Sequence, residues 1–388
     1  MILNPSNLKA TPPINRRLFG GFAGAGALIL AVGLIIDPSS AWANLLIVGF
    51  GLVTTGLAGL TFVAIHYLTG ARWTVVIRRV PEAMSVALIP GSFLILITVL
   101  FAPDLYSWMD GLGDHAAKFK SWWLSKPFFS VRTVIYIAVW MTFGFAIVRA
   151  SRKQDLDGET SLTNRLTRLS AGFIVSFGLT FVLATFDWLM SLEPHWFSTI
   201  YGVYHFAGLF ESGLAIIILV IVWLQTRGPL RKLVNEEHLH DLGKLLFAFS
   251  TFWMYIWFSQ YMLIWYSNIP EEAVYYTRRL EGAWAPLVIA NIALNWAIPF
   301  LVLLPALTKR TGHVLAKVAG VVLLGRALDL YLTVMPAKTA SPSFGFWEIG
   351  TMLLLVGGVA LCIDYGLRGA AVLPIRDPFL EDSLNHQQ

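Results

Sequence analysis

The sequence is poor in charged residues. Asp, Glu, Lys and Arg make up 13% of its 388 residues, whereas a soluble domain carries about a quarter. Hydrophobic residues reach 56%. This composition excludes an ordinary soluble fold and predicts an integral membrane protein.

Cysteine is almost absent as well. The single Cys362 lies in an apolar run, which excludes a disulfide framework, covalent haem attachment through C-x-x-C-H and a Cys-ligated iron–sulfur cluster. A haem held by two histidines is also disfavoured. His205 falls inside a predicted span and His66 at the end of another, so their depths do not match. We therefore expect no redox centre and no metal site in this chain.

Long apolar runs are what the sequence has instead. A span needs about 20 predominantly apolar residues, and only helices satisfy the backbone of such segments in lipid. Ten candidate spans follow: 18–36, 42–68, 84–102, 131–149, 169–191, 200–225, 242–265, 284–307, 315–334 and 347–365. The predicted fold is an all-α polytopic membrane protein, residues 1–388 forming one membrane domain with both termini on one side.

The basic residues predict the orientation. Eighteen of the 28 Lys and Arg residues flank the side that carries both termini, and six flank the other. Since cytoplasmic loops are enriched in Lys and Arg, we expect both termini in the cytoplasm and the chain in the inner (cytoplasmic) membrane. On the other side, the aromatic loop 103–129 suits either a short interfacial helix or an ordinary aromatic belt.

Two spans end in a similar pattern. Asp187-Trp-Leu-Met-Ser-Leu-Glu-Pro194 and Asp329-Leu-Tyr-Leu-Thr-Val-Met-Pro336 each have Asp, a hydroxyl residue four positions on and Pro at the seventh. The match predicts two related four-helix bundles, 42–191 and 200–334. The spans 18–36 and 347–365 are then peripheral helices.

Polar residues within or beside the spans are the candidate functional residues. A charge at the centre of a span costs about 2.5–3.5 kcal/mol on insertion scales, so each needs a partner, a water-filled cavity or a function. We predict a proton path or polar cavity from these residues: Asp187, Glu193, His195, Tyr201, His205, Glu211, Arg326 and Asp329. No catalytic residue is assigned, and a quinone-binding residue is not identifiable from the sequence.

Two interpretations stay open for the charged members of this set. Arg326 and Asp329 are three residues apart and share a helix face. They form either an ion pair that fixes helix packing, or a site where Asp329 takes up and releases a proton and Arg326 adjusts its charge. Glu211 has no opposite charge within a turn, so it is either protonated or paired across helices. A carboxyl group removed from water favours its protonated form, which a proton relay requires.

Several segments resemble a known family. Residues 186–202, 260–272 and 325–331, with Pro299-Phe300, are similar to the NrfD-like (polysulfide-reductase C type) membrane subunits, and more narrowly to the ActF-type subunits of alternative complex III. The resemblance covers roughly residues 40–365. Asn295 lies where we expect a histidine in the ActC-type paralogue, which favours the ActF type and makes quinol oxidation by this chain doubtful.

This resemblance implies a membrane subunit of a quinol:electron-acceptor oxidoreductase, with the paired-bundle fold. It implies as partners an ActC-like paralogue, an iron–sulfur subunit and a multihaem cytochrome c subunit, which would hold the haem c and the iron–sulfur clusters, and quinol as substrate. The chain would supply scaffold, lipid contacts and a possible proton-translocation path, without a cofactor of its own. The alternatives are a stand-alone secondary transporter, which the repeat favours, and a purely structural membrane anchor.

Overall fold

The structure is a computed structural model that describes residues 14–111, 118–231, 233–369 and 371–387. Ten long helices follow one another along the chain. In order, α1 to α10 are Arg16–Ile36, Pro38–Thr69, Arg79–Phe101, Lys126–Asp157, Thr160–Trp188, Tyr201–Arg227, Glu236–Ser267, Gly282–Leu303, Gly312–Val334 and Phe346–Arg368. The part of the chain described contains no strand. The all-α fold is therefore as predicted.

Nine of these helices are long and apolar enough to cross a membrane, counted over the described residues. The exception is α7, which is 32 residues long. Trp and Tyr residues lower its mean hydropathy, yet its outer face exposes Leu263 and Trp265 as a lipid-facing helix does. The chain is a multi-pass membrane protein.

The helices pack in the two predicted groups. In the first group α2 contacts α3 and α5, and α4 contacts both α3 and α5. In the second group α6 contacts α7 and α9, and α8 contacts α7 and α9. Contacts of α2 with α6 and of α5 with α6 join the groups, and α1 and α10 pack against each other on the outside of α2.

Close helix contacts depend on glycine at the α1–α10 seam. A Cβ on Gly26 would lie 2.5 Å from the Gly350 carbonyl oxygen, and one on Gly357 would lie 2.6 Å from the Ala23 nitrogen. The two helices therefore touch backbone to backbone, a geometry that small residues permit between membrane helices.

The alternating helices define two ends of the molecule. The basic end holds the segments 70–78, 158–159, 228–231, 233–235 and 304–311, and the opposite end holds 102–111, 118–125, 189–200, 268–281 and 335–345. The C-terminal segment 371–387 lies across the basic end. Its Asp377 pairs with Arg78 at 2.5 Å and its Asp382 pairs with Arg72 at 2.7 Å. The His386 ring donates a hydrogen bond from Nε2 to the Asp241 carboxylate of α7 at 2.8 Å.

The described parts of the aromatic loop, 103–111 and 118–129, lie over the opposite end of the first group. A short helix, Lys118–Trp123, is present, as one of the two interpretations requires. Its Trp123 does not merely form part of a belt, because the indole nitrogen donates a hydrogen bond to Asp187. This loop thus closes over a buried carboxylate.

Candidate functional site

The first buried carboxylate, Asp187, lies at the end of α5 and is fully enclosed. Four donors surround its two oxygens. Arg132 of α4 donates from Nε at 2.9 Å and from Nη2 at 2.8 Å, the Tyr136 hydroxyl donates at 2.9 Å and the Trp123 indole at 3.0 Å. The carboxylate is therefore both neutralised and saturated with hydrogen bonds.

Arg132 is itself fixed in place by aromatic rings and a backbone carbonyl. Its guanidinium lies 4.0 Å from the Trp123 ring centroid and 4.4 Å from that of Phe128, and Nη1 donates to the Trp123 carbonyl at 2.8 Å. Aromatic faces attract a cation through their quadrupole. Trp123 and Phe128 thus cover this ion pair, and their rings stabilise the Arg132 guanidinium.

The second buried carboxylate, Asp329, lies in α9 and is 1% exposed. Arg326, one turn earlier, donates from Nη1 to Oδ2 at 2.5 Å, so the predicted ion pair is present. The other oxygen, Oδ1, accepts from the Tyr204 hydroxyl and from Asn291 Nδ2 at 3.1 Å. Three helices, α6, α8 and α9, therefore meet at this one side chain.

A π-helical turn at Ala293–Ala297 positions the amides beside Asp329. Pro299 has no N–H to offer the Asn295 carbonyl four residues earlier, and the Ser250 hydroxyl of α7 donates to that carbonyl at 2.7 Å instead. Asn295 in turn donates to the Asn291 side-chain oxygen at 2.7 Å. Single π-turns of this kind often mark functional sites in helices.

Glu193 connects this site to the opposite end of the molecule. It accepts from Arg279 at 2.8 Å and from Arg278 at 3.4 Å. The Arg279 guanidinium lies 3.5 Å from the Tyr275 ring centroid and also donates to the Leu332 carbonyl of α9 at 3.1 Å. Burial raises the pKa of Tyr275 to about 12, against the effect of the Arg279 charge, so this phenol stays protonated at neutral pH.

A small polar cavity joins Arg279 to Asp329. Its volume is about 30 Å³, enough for a water molecule. Its polar lining consists of Tyr204, Gln260, Tyr275, Tyr276, Arg279, Asn291, Asp329 and Thr333. The Gln260 Nε2 atom has no hydrogen-bond partner among the described residues. A continuous run of polar groups therefore leads inward from Glu193 through the cavity to the carboxylate.

Beyond Asp329 the polar groups continue toward the middle of the helices. Arg326 packs against Gly208 of α6, where a Cβ would lie 2.4 Å from Nη1, and Glu211 is three residues further along α6. Glu211 is 1% exposed, and its Oε1 atom has no hydrogen-bond partner within the described chain. An uncompensated carboxylate at this depth is costly, so Glu211 is suited to carrying a proton.

His205 lies on the same helix and is fully buried. Its ring packs edge-on against Tyr201 at a centroid distance of 4.5 Å and against Phe50 at 5.7 Å. Neither ring nitrogen has a partner among the residues described. Aromatic rings thus surround His205, which lies behind the cavity residue Tyr204 at a centroid distance of 5.1 Å and does not itself line the cavity.

A third cluster lies at the basic end of the first group. Arg79 donates to Glu82 at 2.5 Å and also pairs with Asp155 of α4. The Ser151 hydroxyl donates to the other oxygen of Glu82 at 2.5 Å. Arg79 and Glu82 are both buried, so their contacts with Asp155 and Ser151 hold α3 to α4.

The predicted site residues separate in space. The structure joins Glu193, Arg326 and Asp329 through Arg279 and the small cavity, and we call this the second polar region. Tyr201, His205 and Glu211 lie next to it on α6. Asp187 forms a separate polar region, and His195 is exposed. Sequence reasoning missed Arg132, Tyr204 and Arg279, which complete the sites. Arg132 lies inside an apolar run and Arg279 next to one, and that position could have indicated a buried charge. The sequence around Tyr204 has no feature that indicates its contact with Asp329.

Comparison with known proteins adds no assignment, since no protein-family model and no curated protein matches the chain. The likeness to the NrfD-like subunits thus depends on the motifs alone. Two of those motifs contain the buried carboxylates Asp187 and Asp329.

Proposed function

We propose that this chain is a membrane subunit of a quinol:electron-acceptor oxidoreductase of the alternative complex III type, most similar to ActF. In it the chain serves as scaffold and as part of a proton path. Its partners are an ActC-like paralogue, an iron–sulfur subunit and a multihaem cytochrome c subunit, which hold the redox groups. The motif resemblance supports the complex, and the polar region around Asp329 supports the proton path.

The observation that carries the proton path is the run from Glu193 through Arg279 and the small cavity to the Asp329–Arg326 pair. Arg326 packs against Gly208 of α6, and Glu211 lies three residues beyond Gly208 on that helix. A proton relay needs groups that exchange protons in reach of water, and a saturated ion pair does not provide them. Glu211 has an oxygen without a hydrogen-bond partner in the described structure. This region therefore has features that pure packing does not require.

The proposed orientation places both termini in the cytoplasm and the opposite end, with Glu193, on the outer face. The bias of eighteen against six basic residues supports it. A cysteine-accessibility experiment tests it: a cysteine introduced at exposed Phe346 should react with an impermeant maleimide in whole cells. One introduced at exposed Arg165 should react only after the membrane is opened.

Membership of the complex is tested by mild-detergent purification through a C-terminal tag. The expected result is co-purification of multihaem and iron–sulfur subunits, a haem spectrum and quinol-oxidising activity. A colourless protein that purifies alone would contradict the proposal and favour the stand-alone transporter.

The proton path is tested in the same preparation reconstituted into vesicles. Glu211→Gln and Asp329→Asn should leave the subunits assembled and lower the number of protons moved per electron. Glu348→Gln is the matched control, because Glu348 is a buried carboxylate that binds Asn44 and the Gly345 nitrogen away from this region. An unchanged proton-to-electron ratio in both test variants would leave only the scaffold role.

A further inference from the structure

A pocket at the basic end lies where the start of α1, the first part of α3 and the end of α10 meet. Its volume is about 500 Å³, which is within the range of ligand pockets. Its charged lining consists of Arg16, Asp364 and Arg368, and Val86, Leu361 and Tyr365 also line it. Charged and apolar groups therefore share one pocket.

The two arginines share a single carboxylate, since Asp364 is the one acid in the described lining. Arg16 donates from Nε to Oδ2 of Asp364 at 3.0 Å, and Arg368 donates from Nη2 to Oδ1 at 3.0 Å. Asp364 is buried, whereas the two arginine side chains are 47% and 37% exposed. The other two nitrogens of each guanidinium have no hydrogen-bond partner among the described residues. The pocket thus has one positive charge in excess and four nitrogens free to donate.

Other arginines at the basic end lack this excess. Arg72, Arg78 and Arg310 each pair with a separate carboxylate, on Asp382, Asp377 and Glu237. A guanidinium presents its N–H groups in a planar fork that matches the oxygens of a phosphate or carboxylate. Two partly exposed guanidinium groups around one carboxylate are therefore suited to bind one further anion.

The pocket lies at the level where helices leave the membrane. α1 begins beside it and α10 ends beside it, and both are apolar enough to cross a membrane. Tyr365 is 73% exposed, and tyrosine is enriched at the boundary between lipid and water. Ile89 and Phe93 follow Val86 by three and seven residues along α3, share its face and are 57% and 62% exposed. An apolar face thus continues from the pocket into the membrane.

We propose that this pocket binds an anionic phospholipid, with its phosphodiester on the free N–H groups of Arg16 and Arg368 and an acyl chain along α3 and Leu361 of α10. A phosphodiester accepts strong hydrogen bonds from arginine, and its single negative charge equals the excess in the pocket. The head group of phosphatidylcholine also carries an ammonium group, so it has no net charge to offset that excess. Basic pockets between membrane helices bind anionic head groups in this way.

The test uses the full chain purified through its C-terminal tag, with any subunits that remain bound to it, in phosphatidylcholine nanodiscs. A small fraction of phosphatidylglycerol carries a photoreactive diazirine near the carboxyl end of one acyl chain. After illumination, labelled peptides of this chain are mapped by mass spectrometry. Labelling should concentrate on residues 86–93 and 358–365 and should fall when unlabelled phosphatidylglycerol is added in excess. Labelling spread evenly over the lipid-facing helices would overturn the proposal.

Three variants test the part played by charge. Arg16→Gln and Arg368→Gln each leave one arginine paired with Asp364 and remove the excess charge. Each should lower the competed labelling about fivefold, as loss of one basic residue near an anionic head group does. Arg16→Lys keeps the charge and should retain most of the labelling. Arg165→Gln is the matched control, because Arg165 is exposed at the start of α5, outside the pocket.

An equal loss in Arg165→Gln, or a loss in Arg16→Lys as large as in Arg16→Gln, would overturn the assignment of the phosphodiester to this pocket. Equal labelling by a phosphatidylcholine that carries the same diazirine would overturn the preference for an anionic lipid. Displacement of the label by inorganic phosphate would show a site for a soluble anion instead. Because labelling is measured on peptides of this chain alone, the result does not depend on the proposed membership of a quinol-oxidising complex.

Discussion

Asp187 and Asp329 occupy equivalent places in two similar sequence motifs, yet their surroundings differ. Each is buried near the end of its helix, pairs with an arginine and accepts from a tyrosine hydroxyl. In each, the hydroxyl residue four positions on donates to the carbonyl of the aspartate. The two motifs therefore share a set of contacts as well as a sequence pattern.

The difference lies in what surrounds each arginine. Arg132 comes from a neighbouring helix, donates from three nitrogens and lies against aromatic rings. Arg326 comes from the same helix as its partner and leaves two nitrogens without a partner in the described residues. Its partner Asp329 lines the small cavity. One copy of the motif is therefore closed and the other is open to a cavity, and the proposed proton path runs through the open copy alone.

The largest expected effect comes from removing Arg132. Arg132→Gln leaves Asp187 buried without its counter-charge and should lower the free energy of unfolding by about 3–5 kcal/mol. Arg326→Gln should cost less, because the cavity beside Asp329 admits water. Thermal unfolding of the purified protein, followed by size-exclusion fluorescence, compares the two, with exposed Arg165→Gln as control. Equal losses would contradict the distinction between a closed and an open site.

The two tyrosines form the next comparison. Tyr136→Phe and Tyr204→Phe each remove one hydroxyl from a carboxylate and should each cost about 1.5–3 kcal/mol of stability, as hydrogen bonds to charged groups do. Only Tyr204→Phe should also change the number of protons moved per electron in the reconstituted complex. If Tyr136→Phe changed that ratio as strongly, Asp187 would belong to the path as well.

Gly325 tests the packing on which the open site depends. In Gly325→Ala the new Cβ would lie 2.7 Å from Oδ1 of Asn295, so the amide must shift away from Asn291. We expect a loss of about 1–3 kcal/mol, the usual cost of overpacking, seen as a lower unfolding midpoint. Gly178→Ala, which meets open space, should show no such loss; a comparable loss there would point to glycine replacement itself as the cause.

The smallest effect should come from the hydroxyls that the motifs share. Ser191→Ala and Thr333→Val each remove a hydrogen bond within one helix and should each cost under about 1 kcal/mol. The same unfolding assay measures both. Because these bonds are equivalent in the two sites, a large difference between the variants would show that the repeat is less regular than the contacts indicate.

Much of the fold follows from the sequence, because span length and apolar composition are local properties. The Arg326–Asp329 pair is predictable for the same reason, since a spacing of three residues places both on one helix face. Arg132 and Arg279 were not recognisable as partners, because Asp187 and Glu193 lie 55 and 86 residues away along the chain. Likewise the saturation of Asp187 depends on a loop tryptophan that no periodicity relates to α5.

The central position of α2 has a consequence for how the protein is made. Its apolar window is entirely buried inside the protein, and its neighbours include α3, α5, α6 and α10. Because α2 leaves the ribosome before α3 to α10, α2 must first be surrounded by lipid and then exchange that lipid for protein. The final enclosure of α2 therefore waits until α10 has been made, and a chain truncated before α10 would leave part of α2 open to the bilayer.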